Sequence, residues 1–161
     1  MNSFPDFPKQ EGVALVFGGS GGIGRAICEK FAEAGSDVAF TYRSNAEAAQ
    51  AVSAAIEAHG RVAMALPVAV EDAAAVREAC SAVVDAFKTV HTVVNAAGSH
   101  ISMSFIGNMD PEEFRAVMAA DTGGFFSAVQ ALLPHMREKG GSFVTISTAG
   151  LSRWPTKDGL S

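Results

Sequence analysis

The apolar run Val13–Phe17 leads directly into Gly18-Gly19-Ser20-Gly21-Gly22-Ile23-Gly24, and an amphipathic stretch begins inside that glycine turn. Little else in the chain limits its fold so strongly. A buried strand that stops at glycines and feeds straight into a helix gathers free backbone N–H groups and the positive end of a helix dipole at one point. That arrangement suits an anion. Gly18 permits the tight turn, Gly22 lets a pyrophosphate approach the backbone, and Gly24 lets helix and strand pack closely. Ser20 and Ile23 complete the candidate cofactor-binding stretch. The spacing is Gly-x-x-x-Gly-x-Gly, which differs from the Gly-x-Gly-x-x-Gly form. A glycine-rich turn without a ligand is the alternative; the strand–turn–helix context favours a dinucleotide.

The rest of the chain continues the alternation of strand-length apolar runs with longer amphipathic stretches. A helix is expected from Gly22 to Ala34, with Ile23, Ile27 and Phe31 on one face and Gly35 as its stop. Asp37–Tyr42 reads as a second strand, and Asn45 to Ala58 as an alanine-rich helix. Arg61–Leu66 reads as a third strand stopped by Pro67, and Asp72 to Phe87 as a third helix capped by Asp72. Thr92–Asn95 closes a fourth strand. Asp110-Pro111-Glu112-Glu113 opens a long helix that should run to about Glu138. Gly123–Gly124 interrupt that helix, and Pro134 predicts a kink or break in it. Ser142–Ser147 is a fifth strand, and the residues after Thr148 read as loop. Five strands and four long helices in alternation imply an α/β fold: a Rossmann-type doubly wound parallel sheet in the order 3-2-1-4-5. With 161 residues and no internal linker, a single domain spanning 1–161 is expected.

Bulk properties narrow the function. The net charge is −5 and no basic run occurs, which argues against a nucleic-acid partner. Cys28 and Cys80 each sit in an apolar helical pattern, the place of a small buried thiol in a reducing compartment. No window approaches the roughly 20 apolar residues of a membrane helix, so no membrane partner is expected. The lead-in MNSFPDFPKQEG lacks an apolar signal core, and the expected location is cytoplasmic. His59, His91, His100 and His135 show no metal-ligand spacing, and no metal site is expected.

The end of the second strand separates two cofactors. An NAD site places an Asp or Glu there to accept hydrogen bonds from the ribose hydroxyls. Here the strand ends Thr41-Tyr42-Arg43-Ser44-Asn45. Arg43 suits a 2′-phosphate, with Ser44 and Asn45 as neutral donors. NADP (NADPH) is therefore preferred over NAD. The alternative for Arg43 is a solvated cation at a strand end.

These residues resemble the short-chain dehydrogenases/reductases, and loosely their 3-oxoacyl-acyl-carrier-protein reductase branch. Gly18-x-x-x-Gly22-Ile23-Gly24 is similar to the family's cofactor motif. Asn95-Ala96-Ala97-Gly98 resembles its signature after the fourth strand, which adds Asn95, Ala96 and Gly98 to the cofactor-binding candidates. Phe143–Ser147 with Thr148-Ala149-Gly150 resembles the strand that delivers its catalytic serine. The resemblance implies an NADP-dependent oxidoreductase moving a hydride between nicotinamide and a carbonyl or alcohol substrate. In that family a serine holds the substrate oxygen, a tyrosine moves the proton, a lysine lowers the tyrosine pKa, and a helix asparagine completes a relay. Carbonyl reduction develops alkoxide charge, so an acid and a hydrogen-bond donor are needed nearby.

Departures from the family pattern qualify that expectation. Ser147 is the candidate catalytic hydroxyl, with Thr148 as the alternative by one position. Asp121 is the second catalytic candidate, standing where the resemblance expects the asparagine; a carboxylate there would alter the relay, and the alternative is a polar residue at a helix irregularity beside Gly123–Gly124. Ala69 replaces an Asp that contacts adenine, and Thr92 replaces a usual Asp. The only tyrosine is Tyr42, near the adenosine end, and the Tyr-x-x-x-Lys pair is expected beyond Ser161. The chain is thus expected to be a C-terminally incomplete NADP-binding domain; the alternative is a non-catalytic dinucleotide-binding or interaction protein. His100 could contact substrate or be an exposed loop histidine. The apolar loop Ser99–Met109 would wall a substrate pocket or pack as a short helix on the sheet. The surplus apolar surface of helix 111–138 suggests a homo-oligomer or burial under the segment expected beyond Ser161, and an unprotected fifth strand suggests poor solubility or association.

Overall fold

The computed structural model describes residues 11–99, 101–102 and 104–148. Five parallel strands form one sheet in the order β3-β2-β1-β4-β5. They are β1 (Val13–Phe17), β2 (Asp37–Tyr42), β3 (Ala63–Pro67), β4 (Val90–Asn95) and β5 (Ser142–Thr145). The helices between them are α1 (Gly22–Glu33), α2 (Ala46–Glu57), α3 (Ala73–Phe87), α4 (Pro111–Val117) and α5 (Gly124–Lys139). A 3-10 turn, Ile106–Asn108, precedes α4. The expected sheet order is the observed one.

Burial follows position in the sheet. Every residue of β1 and β4 is buried, because both strands have a neighbour on each side and helices on each face. Alternate residues of β1 feed two separate cores. Val13, Leu15 and Phe17 pack with Val76, Cys80 and Val83 of α3 and with Leu132 and Met136 of α5. Val16 packs on the other face with Cys28 of α1 and Val52 and Ile56 of α2. Burying one such aliphatic side chain contributes about 1.5–3 kcal/mol, so the two cores hold the sheet between its helix layers.

Helix starts follow local chemistry. Asn45 caps α2 by accepting from Ala48 N, and Asp72 caps α3 by accepting from Ala74 N and Ala75 N. Asp110 accepts from Glu112 N at the start of α4, with Pro111 in the first turn.

Five expectations change. The third strand includes Pro67, which pairs with Tyr42 at the sheet edge; a strand that pairs on one side only tolerates a proline there. The fifth strand ends at Thr145, not Ser147. The buried stripe of α1 is Gly24, Cys28 and Ala32, one residue along from the expected Ile23, Ile27 and Phe31. Small residues let the helix sit close to β1, so the larger side chains move to its flank and Ile23 is 62% exposed. Pro134 does not end the long helix, which continues to Lys139; the interruption expected at Gly123–Gly124 is present, as a π-helical turn over Met118–Gly123. Finally, Pro111–Lys139 is long and apolar enough, by length and composition, to cross a membrane. Its α5 half nevertheless buries Ala128, Leu132 and Met136 in the core beside α3, as a core helix does.

Candidate functional site

The glycine turn closes on itself and on the neighbouring strand β2. Gly21 N donates to Gly18 O at 3.1 Å, and Gly19 N donates to Thr41 O at 2.9 Å. Gly18 N donates to Thr41 Oγ1 at 3.0 Å. Thr41 is buried at the end of β2 and pins the turn from the next strand. Sequence reasoning passed it over, because nothing in a strand-end threonine announces which backbone it will meet. Gly18 has φ +77°, and a Cβ there would lie 2.7 Å from the Ala97 backbone. A Cβ on Gly24 would stand 2.1 Å from Gly18 O, so α1 can start against β1 only with glycine at 24. At Gly22 a Cβ would meet nothing within 4 Å. No neighbour in the chain dictates glycine there, which leaves the position open to a ligand's approach.

An open cavity of about 190 Å³ lies at the carboxyl ends of β1, β2 and β4. Gly18, Ser20, Arg43, Ala96 and Gly98 line it, which brings together five of the expected cofactor residues. Its location is where the strand order reverses on either side of β1, the crevice open α/β sheets use for ligands. Asn95 is buried at the end of β4, paired with Phe17 and Thr145; its carbonyl accepts from Ile146 N at 3.0 Å. Gly22, Ile23 and Gly24 form the first turn of α1. Ser44 is exposed, and the Asn45 carbonyl oxygen is engaged as the α2 cap, which leaves its amide N–H groups to donate.

Arg43 is not a lone cation. Its Nη2 donates to Glu71 Oε1 at 2.7 Å, across the mouth of the same cavity. Glu71 lies between β3 and α3, 28 residues along the chain. No local pattern shows that pairing, and the sequence reading missed it. Val68 and Val70 from the same segment also line the cavity, while Ala69 leaves no carboxylate at its own position.

On the other side, Asp121 sits in the π-helical turn, and its Oδ1 accepts from Ser99 N at 3.0 Å and Ser99 Oγ at 3.2 Å. A π turn inserts one extra residue per turn and often marks a functional site. Glu113 of α4 makes a parallel attachment, accepting from Ser102 N at 2.7 Å. The segment after β4 is therefore tied at two points to the long helix. Phe105 and Ile106 remain 50% and 77% exposed, so the short turn does not pack on the sheet. Ser147 is exposed just past β5, and Thr148 beside it is half-buried. His100, Ala149 and Gly150 lie outside the described residues. Among the described residues no group of three or more His, Cys, Asp or Glu could hold a metal.

The residues present fit a dinucleotide: a glycine turn at a helix N-terminus, an open position at Gly22, and a cationic side chain at the far end of the cavity. Known proteins resemble the chain. The sequence model of the family described as short chain dehydrogenase matches residues 12–158. The 3-oxoacyl-[acyl-carrier-protein] reductase FabG of Staphylococcus aureus is 34% identical over 136 residues, 84% of this chain and 55% of that protein. A short-chain dehydrogenase/reductase from Serratia marcescens superposes with a TM-score of 0.85 at 33% identity, covering 92% of this chain and 60% of the other. A short chain dehydrogenase from Burkholderia cenocepacia in complex with NADP gives a TM-score of 0.81 at 36% identity, covering 91% and 59%. The chain thus spans little more than half the length of these relatives.

Proposed function

The chain belongs to the short-chain dehydrogenase family, and on that premise we propose that residues 1–161 form one NADP-binding Rossmann domain of an oxidoreductase. Its reaction is hydride transfer between nicotinamide and a carbonyl or alcohol carbon of a small-molecule substrate. The observation that carries the cofactor reading is Arg43 lining the same cavity as Gly18 and Ser20, with no carboxylate at the end of β2 itself. The relative from Burkholderia cenocepacia bound to NADP supports it.

In this reading the backbone N–H groups of the glycine turn and the first turn of α1 bind the pyrophosphate, and Arg43, Ser44 and Asn45 meet the 2′-phosphate. Asn95, Ala96 and Gly98 line the path towards the nicotinamide, which supplies the hydride when bound. Ser147, with Thr148 as the alternative, donates a hydrogen bond to the substrate oxygen as negative charge develops on it. Asp121 holds the segment after β4 in place through Ser99. The exposed Phe114, Met118 and Phe126 on α4, the π turn and α5 suit association of like chains. The buried thiols Cys28 and Cys80 suit a reducing cytoplasm.

Titration of the chain with NADPH and NADH, followed by nicotinamide fluorescence, tests the cofactor reading. NADPH should bind more tightly, and Arg43→Gln should remove the difference. Tighter NADH binding overturns it. A second reading rests on Tyr42, the one tyrosine of the sequence, lying in β2 at the adenosine end of the cavity. Dinucleotide binding without turnover by these 161 residues is what that reading expects. Assays of carbonyl reduction with bound NADPH separate the two.

A further inference from the structure

Arg43 and Glu71 share one wall of the cavity and hold each other at 2.7 Å, Nη2 to Oε1. Their side chains are 76% and 34% exposed, so the guanidinium is free to swing while the carboxylate is the more enclosed partner. The contact is monodentate, leaving other guanidinium N–H groups available. Two consequences follow from charge alone. A ribose 2′-phosphate that docks on Arg43 must either displace Glu71 or bind with a carboxylate a few ångströms from its own negative charge. A ribose 2′-hydroxyl meets the opposite situation, because it can donate to that carboxylate without repulsion.

We propose that Glu71 is a specificity-determining residue of the dinucleotide site, opposing the 2′-phosphate that Arg43 attracts and thereby holding down the preference for NADP over NAD. The proposal rests on the cofactor reading above and deepens it. It places the acid that NAD-selective sites carry at the end of the second strand on a different segment, between β3 and α3. The repulsion from Glu71 falls on one cofactor and not the other, since only the 2′-phosphate brings further negative charge to Arg43. The effect is modest in size, because an exposed ion pair is screened by solvent. Replacing Glu71 removes both the competition for Arg43 and the repulsion.

The test is equilibrium binding of NADPH and NADH to the wild-type chain, Glu71→Gln, Arg43→Gln and the double variant, by nicotinamide fluorescence. Circular dichroism of each variant checks the fold. Glu71→Gln should tighten NADPH binding roughly threefold to tenfold and change NADH binding little or weaken it. In the double variant the NADPH gain measured against Arg43→Gln should shrink, because the competition works through Arg43 and only the relief of repulsion remains. An unchanged or lower NADPH-to-NADH affinity ratio in Glu71→Gln overturns the proposal, including the case in which Glu71 serves to hold Arg43 in a binding posture. The two ideas fail separately. Wild type preferring NADH while Glu71→Gln gains on NADPH removes the NADP reading and supports the role of Glu71. Wild type preferring NADPH with no change in Glu71→Gln does the reverse. Absence of saturable binding to every variant overturns both.

Discussion

The Asp121 carboxylate and Ser99 are joined twice, by Ser99 N at 3.0 Å and Ser99 Oγ at 3.2 Å, both to Oδ1. A single oxygen of a π-turn residue thus fixes the backbone just past Gly98, where the cavity wall continues from β4. Hydrogen bonds to a charged acceptor contribute more than neutral ones. Both residues are half-buried, so solvent takes back part of that gain. Asp121→Ala should cost about 1 kcal/mol in urea unfolding and raise amide exchange at Ser99. Asp121→Asn keeps the acceptor and should lose less than half as much. Equal exchange at Ser99 in wild type and Asp121→Ala would remove the positioning role.

Two glycines in the first turn of α1 should respond in opposite ways. Gly24→Ala puts a methyl 2.1 Å from Gly18 O, a backbone atom that cannot move aside alone. Overpacking of that kind costs about 1–3 kcal/mol. Gly22→Ala meets open space inside a helical turn, where alanine is favoured by up to ~1 kcal/mol. Its stability should be unchanged or higher, while its affinity for NADPH falls. Thermal melts and NADPH titration of both variants separate the steric role from the ligand role.

His91 provides a pH signature. Its Nε2 lies 3.0 Å from Ser36 Oγ and its Nδ1 lies 2.9 Å from Thr92 Oγ1, in a buried polar cluster at the start of β4. Burial holds its pKa below the usual histidine value. The unfolded chain therefore binds this proton more readily than the folded one. The stability contributed by neutral His91 is complete above the unfolded-state pKa, about 6.5, and declines as pH falls from there towards the folded-state pKa. The urea midpoint should drop between pH 7.5 and 5.5, and drop less in His91→Gln. Parallel pH profiles for the two proteins would assign the effect elsewhere.

Cys28 and Cys80 are buried free thiols, and desolvation pushes each up to about 12. The reactive species is the thiolate, so neither should react with a disulfide reagent in the folded chain at pH 8. Two equivalents should appear on adding denaturant. Rapid labelling of the native protein would contradict the packing of α1 and α3 against β1.

The edge strand β5 pairs with β4 alone among the described residues, and Val144 within it and Ile146 just past it are each 43% exposed. An apolar, unpaired edge invites association. Sedimentation should show species larger than a monomer, and Val144→Lys should shift them downward. A wild-type chain that stays monomeric at high concentration would contradict this expectation.

Element type and order were legible in the residues alone. Val13–Phe17 and Asp37–Tyr42 appear with the expected bounds, because a continuous apolar run ending in glycine or a polar cluster has one good solution in a sheet covered on both faces. Asp72 and Asp110 cap the helices they precede, since capping is a contact within three residues. The same locality made Gly18 and Gly24 readable. What tertiary structure alone decided is everything that depends on distant partners. The face α1 buries is set by how near β1 lies, so it runs through Gly24, Cys28 and Ala32 instead of the larger side chains one residue back. Thr41 reaches Gly18 only because β2 lies next to β1 in register. Asp121 meets Ser99 from a π-helical turn, 22 residues along the chain. Arg43 meets Glu71 because the segment after β3 folds back over the end of β2. The sequence determined a doubly wound sheet with a glycine turn between β1 and α1, through short-range sterics and apolar periodicity. Only the packed fold decided which charge stands opposite Arg43, because that contact joins residues whose separation along the chain carries no pattern.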